Sequence, residues 1–143
     1  MYDTVSFVIP GEPCAKGRPR FTRAGHAYTP AKTQAYEALV QACYAQSKRL
    51  YFEDQGLRVT VCTKFAIPKS ASKRRAQDMR EGRILPTKRP DADNLAKAIC
   101  DALNGVAWKD DCQVTHLDVR KRYADEPMVI VMIRPDCAEE DAP

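Results

Sequence analysis

Asp91-Ala-Asp-Asn-Leu-Ala-Lys-Ala-Ile-Cys-Asp-Ala-Leu-Asn-Gly105 is the stretch on which the fold turns. Leu95, Ile99, Ala102 and Leu103 fall at i, i+4, i+7 and i+8, so they share one face of a helix, and Asn104-Gly105 stops it. A face so apolar on a short helix needs a sheet to cover it, and the flanking segments supply the strands. Gln113 to Tyr123 and Met128 to Ile133 read as two strands joined by a turn near Asp125 to Pro127. Upstream, Thr4 to Ile9 reads as a strand ended by Pro10, Gly11 and Pro13, and Leu57 to Phe65 alternates as another. Lys16 to Arg23 and His26 to Tyr28 form a short hairpin turning at Ala24-Gly25. Thr29 as N-cap and Pro30 at the first position open a helix from Ala31 to about Ser47, with Tyr36, Leu39, Val40 and Cys43 at helical spacing. Pro68 to Gly82 is polar and basic and fits a short exposed helix. Leu85 to Pro90 is an extended approach, because the residue before proline avoids helical angles.

The expected fold class is therefore α/β, more strictly α+β: a small mixed β-sheet flanked by helices. A single domain covers residues 1–135, and 136–143 is a loose acidic tail. At 143 residues and 16.1 kDa the chain suits one domain, which buries about 70% of its unfolded surface. With 44% hydrophobic and 29% charged residues it is no disordered chain. Its longest apolar run, Met128 to Ile133, falls far short of the ~20 residues of a membrane-spanning helix. Met1 to Pro10 lacks a signal peptide's features, so the expected compartment is the cytoplasm. The six cysteines form no CxxC pair and read as free thiols, several of them buried; His26 and His116 do not complete a zinc site.

Charge is segregated. Residues 1–50 carry seven Lys or Arg against three acids, and 69–89 carry eight against two. Between 91 and 118 the sign reverses, with six aspartates against Lys97 and Lys109. An acidic island on basic ground suits a protein that draws in a polyanion, nucleic acid being the commonest. The island itself holds the chemistry. Asp91 and Asp93 stand at the amino end of the helix, where backbone dipoles tolerate negative charge. Capping accounts for one aspartate, but not for two plus the further pair Asp110-Asp111 arriving before the next strand. Like charges gathered together need a cation between them, and hard oxygen ligands suit Mg²⁺ or Mn²⁺. Lys97, four residues after Asp93, is either its surface ion-pair partner or a fixed positive charge beside the metal. An EF-hand is excluded, because Leu95 and Ala96 stand where that loop needs a ligand and a glycine. No Ser–His–Asp set is apparent either.

The chain resembles the RusA-like Holliday junction resolvases of bacteria and their phages. The matching residues are Phe7-Val-Ile-Pro-Gly-Glu-Pro13, Lys16-Gly-Arg-Pro-Arg20, Tyr28-Thr-Pro, Tyr36-Glu37, Arg89-Pro-Asp-Ala-Asp-Asn-Leu-Ala-Lys97, Asp101-Ala-Leu-Asn-Gly105 and Asp110-Asp-Cys-Gln-Val114. The resemblance implies a homodimeric, Mg²⁺-dependent endonuclease, with Mn²⁺ as a substitute, that makes paired nicks in four-way junction DNA during recombination and repair. It places the catalytic carboxylates at Asp91, Asp93 and Asp111 and the essential lysine at Lys97, with Asp110 the other candidate for the later metal ligand. Lys16, Arg18, Arg20 and Arg23 are expected to form one phosphate-contacting arm, Lys73, Arg74 and Arg75 a second patch, and Lys88 and Arg89 further contacts. Phe21 has two readings, stacking on an opened base or core, with core favoured, and Trp108 and Tyr123 are expected in the core. The apolar run Met128 to Ile133 alternates poorly, so both its faces should be covered, by the sheet's own layers or by a partner. A less selective branched-DNA nuclease of phage replication or packaging would use the same residues. A noncatalytic DNA-binding module would need no carboxylates, and no RNA-binding motif is present.

Overall fold

The computed structural model describes residues 3–17, 20–28, 30–48 and 50–138, without the side chains of Arg20 and Tyr28. The elements run β1 (Val5–Pro10), β2 (Arg20–Phe21), β3 (Ala27–Tyr28), α1 (Ala31–Ala45), β4 (Leu57–Ala66), α2 (Lys73–Arg80), α3 (Ala92–Leu103), a 3₁₀ turn (Asp111–Gln113), β5 (Val114–Ala124) and β6 (Met128–Pro135). Four strands make a mixed sheet in the order β1-β6-β4-β5. β6 runs antiparallel to both β1 and β4, while β4 and β5 are parallel. Parallel neighbours need a long crossover, and residues 67–113, with α2 and α3, provide it. The expected mixed sheet flanked by helices is the fold observed.

The register puts Phe7, Val131, Val61 and Val119 side by side across the sheet. Period-two alternation sends Val5, Phe7, Ile9, Leu57, Val59, Val61, Val129, Val131 and Ile133 to one face, all buried. α1 and α3 cover that face through Val40, Tyr44, Ile99, Ala102 and Leu103. Phe7 and Tyr44 meet edge to face, ring centroids 5.6 Å apart. On α1 the inward stripe is Val40 and Tyr44, with Tyr36 and Cys43 packed beside it, whereas Leu39 is 37% exposed on the flank.

Several expectations need correction. β6 does alternate: its helix-facing residues are buried, but Met132 on the other face is 43% exposed, as is Val8 of β1, opposite Ile130, at 49%. β6 is an interior strand, so β1 and β4 protect its edges, and on its second face Met128 and Ile130 are partly buried while Met132 is exposed. Gln113 belongs to the 3₁₀ turn and not to β5. α1 begins at Ala31 as expected and ends at Ala45, two residues early, with Pro30 in the N-cap position; Thr29 lies outside the described residues. All six cysteines are free, but five are partly buried and Cys112 is exposed, so none is a core residue. Residues 139–143 of the acidic tail lie outside the described residues. Among those described, no helix is long and apolar enough to cross a membrane.

Candidate active site

α3 presents the first half of the acidic island. Asp91 occupies its N-cap position, yet its side chain makes no capping hydrogen bond. Asp93 follows in the first turn, where the helix dipole favours a carboxylate. Lys97 lies one turn on, exposed, and among the described residues it takes part in no ion pair. The surface pair with Asp93 that spacing allowed is therefore not formed.

The second half arrives through the tight turn before β5. Gln113, 9% exposed, holds this turn with both ends of its amide. Its Oε1 accepts from the backbone N–H groups of Lys109 and Asp110 at 2.9 Å each, and its Nε2 donates to the carbonyls of Phe52 and Gln55 at 3.1 and 3.2 Å. Asp110 caps the turn, accepting from the Cys112 N–H at 3.1 Å. Asp111 instead receives the indole N–H of fully buried Trp108 at 2.8 Å. Asp110 thus spends its carboxylate on local structure, and Asp111 faces the site.

Asp93, Lys97, Cys100, Asp101 and Asp111 line one cavity of about 550 Å³, with Leu117 and Val119 of β5 on its wall. Burial is the main cause that holds the Asp111 carboxyl above its ordinary range; the Trp108 hydrogen bond partly opposes it, and the charges of Asp101 and Asp110 add to it. The Cys100 thiol is pushed up to about 12, chiefly by burial and then by Asp111 and Asp101. Negative charge is therefore concentrated and incompletely relieved in this cavity.

Asp91 does not line it, so the three expected metal carboxylates are not gathered as a set. Among the described residues no three Asp, Glu, His or Cys side chains stand together at metal-ligand distance. The donor chemistry still fits Mg²⁺, which is commonly held by one or two carboxylates and completes its shell with water and substrate phosphate. Asp93 and Asp111 are the two expected carboxylates that line the cavity, and Asp91 stands at the adjoining helix end.

The expected DNA contacts divide. Arg23 is exposed on the β2–β3 hairpin, and Lys73, Arg74 and Arg75 are exposed in the first turn of α2, which Ser72 caps through the Arg75 N–H at 3.2 Å. Lys88 extends over the rings of Phe65 and Tyr123, and Arg89 lines a second cavity of about 610 Å³ with Lys32, Pro13 and Pro90. Arg18 and the side chain of Arg20 lie outside the described residues. Lys16 is not a free cation: its ammonium pairs with Glu37 at 2.6 Å and Asp101 at 3.2 Å. Phe21 is 71% exposed, which corrects the core expectation, because a two-strand hairpin has no layer to bury it against. Trp108 is core as expected, and Tyr123 is partly buried. The supporting roles of Trp108, Gln113, Glu37 and Asp101 were not foreseen. Trp108 lies three residues before Asp111 and Gln113 two after it, spacings that acquire meaning only once the turn is known.

The family described as Endodeoxyribonuclease RusA matches residues 10–134 of this chain. The chain is also 38% identical over 137 residues to the uncharacterized protein YqaN of Bacillus subtilis (strain 168), an alignment spanning 92% of this chain and 96% of that relative.

Proposed function

Because the chain belongs to the RusA endodeoxyribonuclease family, we propose that it is a Mg²⁺-dependent resolvase that cuts four-way DNA junctions by paired nicks, in recombination and repair in the cytoplasm. The observation that carries this reading is the single cavity shared by Asp93, Asp111 and Lys97. Asp93 and Asp111 hold the cation, with Asp91 as a further ligand and Mn²⁺ able to replace Mg²⁺. Bound there, the ion supplies Lewis-acid polarisation of the scissile phosphate and lowers the pKa of a coordinated water. Lys97 presents a fixed positive charge to a non-bridging phosphate oxygen, where it stabilises the charge that develops as water attacks phosphorus and the sugar oxygen leaves. Trp108 orients Asp111 through its indole N–H.

The basic run of the sequence that holds Arg18, Arg20 and Arg23, with Lys73, Arg74 and Arg75 on α2 and Lys88 and Arg89 before α3, contacts phosphates around the cut. Phe21 stacks on an opened base at the crossover. The enzyme works as a homodimer, so that two sites meet opposing strands of a near two-fold junction. The half-open face of the sheet at Val8 and Met132 supports a second copy.

The test is a synthetic four-way junction beside a linear duplex and a single strand of the same sequence, each with Mg²⁺ or EDTA. The reading predicts symmetric paired nicks in the junction with Mg²⁺ alone, lost in Asp93→Asn. Equal cutting of the duplex would make the protein a less selective nuclease, and wild-type cutting by Asp93→Asn would refute the metal assignment.

A further inference from the structure

Lys16 has two docking points on α3. Its backbone N–H donates to the carbonyl of Asn94 at 3.3 Å, and its side chain runs along the helix to Asp101. The next residue, Gly17, donates its N–H to Thr33 Oγ1 on α1 at 3.0 Å, and a Cβ at that position would lie 2.5 Å from the same oxygen. The strand-to-hairpin segment is thereby pinned where α1 and α3 meet. Glu37 on α1 takes the ammonium at 2.6 Å, and the three side chains are 19–29% exposed, so the contact is partly shielded from water.

Asp101 is the carboxylate that needs this cation. It sits in the last turn of α3, where the carbonyl end of the helix dipole disfavours an anion, unlike Asp93 in the first turn. It also lines the same cavity as Asp93, Lys97 and Asp111. Lys97 lies four residues before it, within ion-pair reach on a helix surface. Asp101 therefore has two lysines available and is paired with Lys16, while Lys97 makes no ion pair among the described residues.

We propose that Lys16, braced by Glu37, is a positioning residue: by occupying Asp101 it keeps the Lys97 ammonium unpaired and turned to the cavity. This rests on the reading of Lys97 as acting on the scissile phosphate, and it moves Lys16 from the phosphate-contacting arm to the internal wiring of the site. Removing Lys16 leaves Asp101 to capture Lys97, and removing Asp101 as well releases it.

The experiment compares Lys16→Met, Lys16→Arg, Asp101→Asn and the Lys16→Met/Asp101→Asn double variant. Acetylation of Lys97 in the metal-free protein, followed by mass spectrometry, should drop severalfold in Lys16→Met. It should return to wild-type level in the double variant and stay there in Lys16→Arg. Junction cleavage should follow the same order, with turnover down at least tenfold in Lys16→Met and mostly restored in the double variant. A Lys16→Met protein that labels like wild type, or a double variant as slow as the single one, would overturn the proposal. So would a Lys16→Met defect confined to junction affinity in EDTA, with a shallower salt dependence, since that is the signature of a phosphate contact. Should Lys16→Met not fold, Lys16→Gln, which also removes the cation but keeps a polar chain beside Glu37 and Asp101, takes its place, and Lys97 labelling in it at wild-type level would overturn the proposal. Wild-type cleavage by Lys97→Met would remove the role of Lys97 without touching the labelling result.

Discussion

Replacing Gln113 by Leu separates the scaffold of the turn before β5 from the chemistry proposed for Asp111. The Gln113 amide makes four hydrogen bonds at 2.9, 2.9, 3.1 and 3.2 Å, which satisfy both lone pairs of its oxygen and both protons of its nitrogen. Leu has nearly the same shape and none of these bonds. At about 0.5–1.5 kcal/mol net for each bond, the gross loss is roughly 2–6 kcal/mol. The apolar transfer gain of a buried Leu offsets about 1–2 kcal/mol of it, leaving a net cost of around 1–4 kcal/mol. For a chain of this size that corresponds to a melting temperature lower by roughly 3–12 °C. Urea unfolding followed by fluorescence of Trp108, the single tryptophan, gives the free energy directly. Because Asp111 is carried on the same turn, junction cleavage should fall even at temperatures where the variant is fully folded. A cost under about 0.5 kcal/mol, the ordinary range for an inconsequential surface change, would refute the reasoning.

Asp111→Asn should abolish cleavage while raising the melting temperature at pH 7. Its native pKa is raised, so ionisation costs the native state stability; that cost is fully present above the native value and vanishes as pH falls below the ordinary 3.8, and the stability gain of the variant should vanish with it. Thermal melts from pH 3 to 7 check the sign, and a gain that grows on acidification would contradict it. Phe21→Ala should leave stability within about 0.5 kcal/mol, because the ring is largely exposed, yet weaken junction binding by the order of a base-stacking contact, ~1–3 kcal/mol. Neutralising Lys73, Arg74 and Arg75 together should reduce the slope of log K against log salt by about 0.9 for each phosphate they neutralise in the wild type; an unchanged slope would take α2 out of the interface.

Where local chemistry dictates structure, the sequence was readable. Alternating β4, the stripe of Leu95, Ile99, Ala102 and Leu103, and the Asn104-Gly105 stop each specify their element without distant help. Strand order was not readable, because β4 and β5 pair in parallel across a crossover and β6 inserts between β1 and β4, both long-range events. The clustering of Asp93, Lys97 and Asp111 followed from one helix and one turn meeting beside it. The division of labour between Asp110 and Asp111 did not follow, since it depends on which carboxylate the 3₁₀ turn consumes as its cap. The pairing of Lys16 was not readable for the same kind of reason: a basic run looks like a phosphate arm, and only tertiary contact places Glu37 and Asp101 around one of its members. Phe21 shows the converse, an aromatic that a core would take had the hairpin carried a second layer to bury it.

Crystals soaked in Mn²⁺ locate the cation by anomalous scattering. One or two anomalous peaks should appear in the cavity within ligand distance of the Asp93 and Asp111 carboxylates and disappear in Asp111→Asn. Saturating Mn²⁺ that leaves this cavity without a peak, or binds only at carboxylates elsewhere, would contradict a metal-dependent cut at this site.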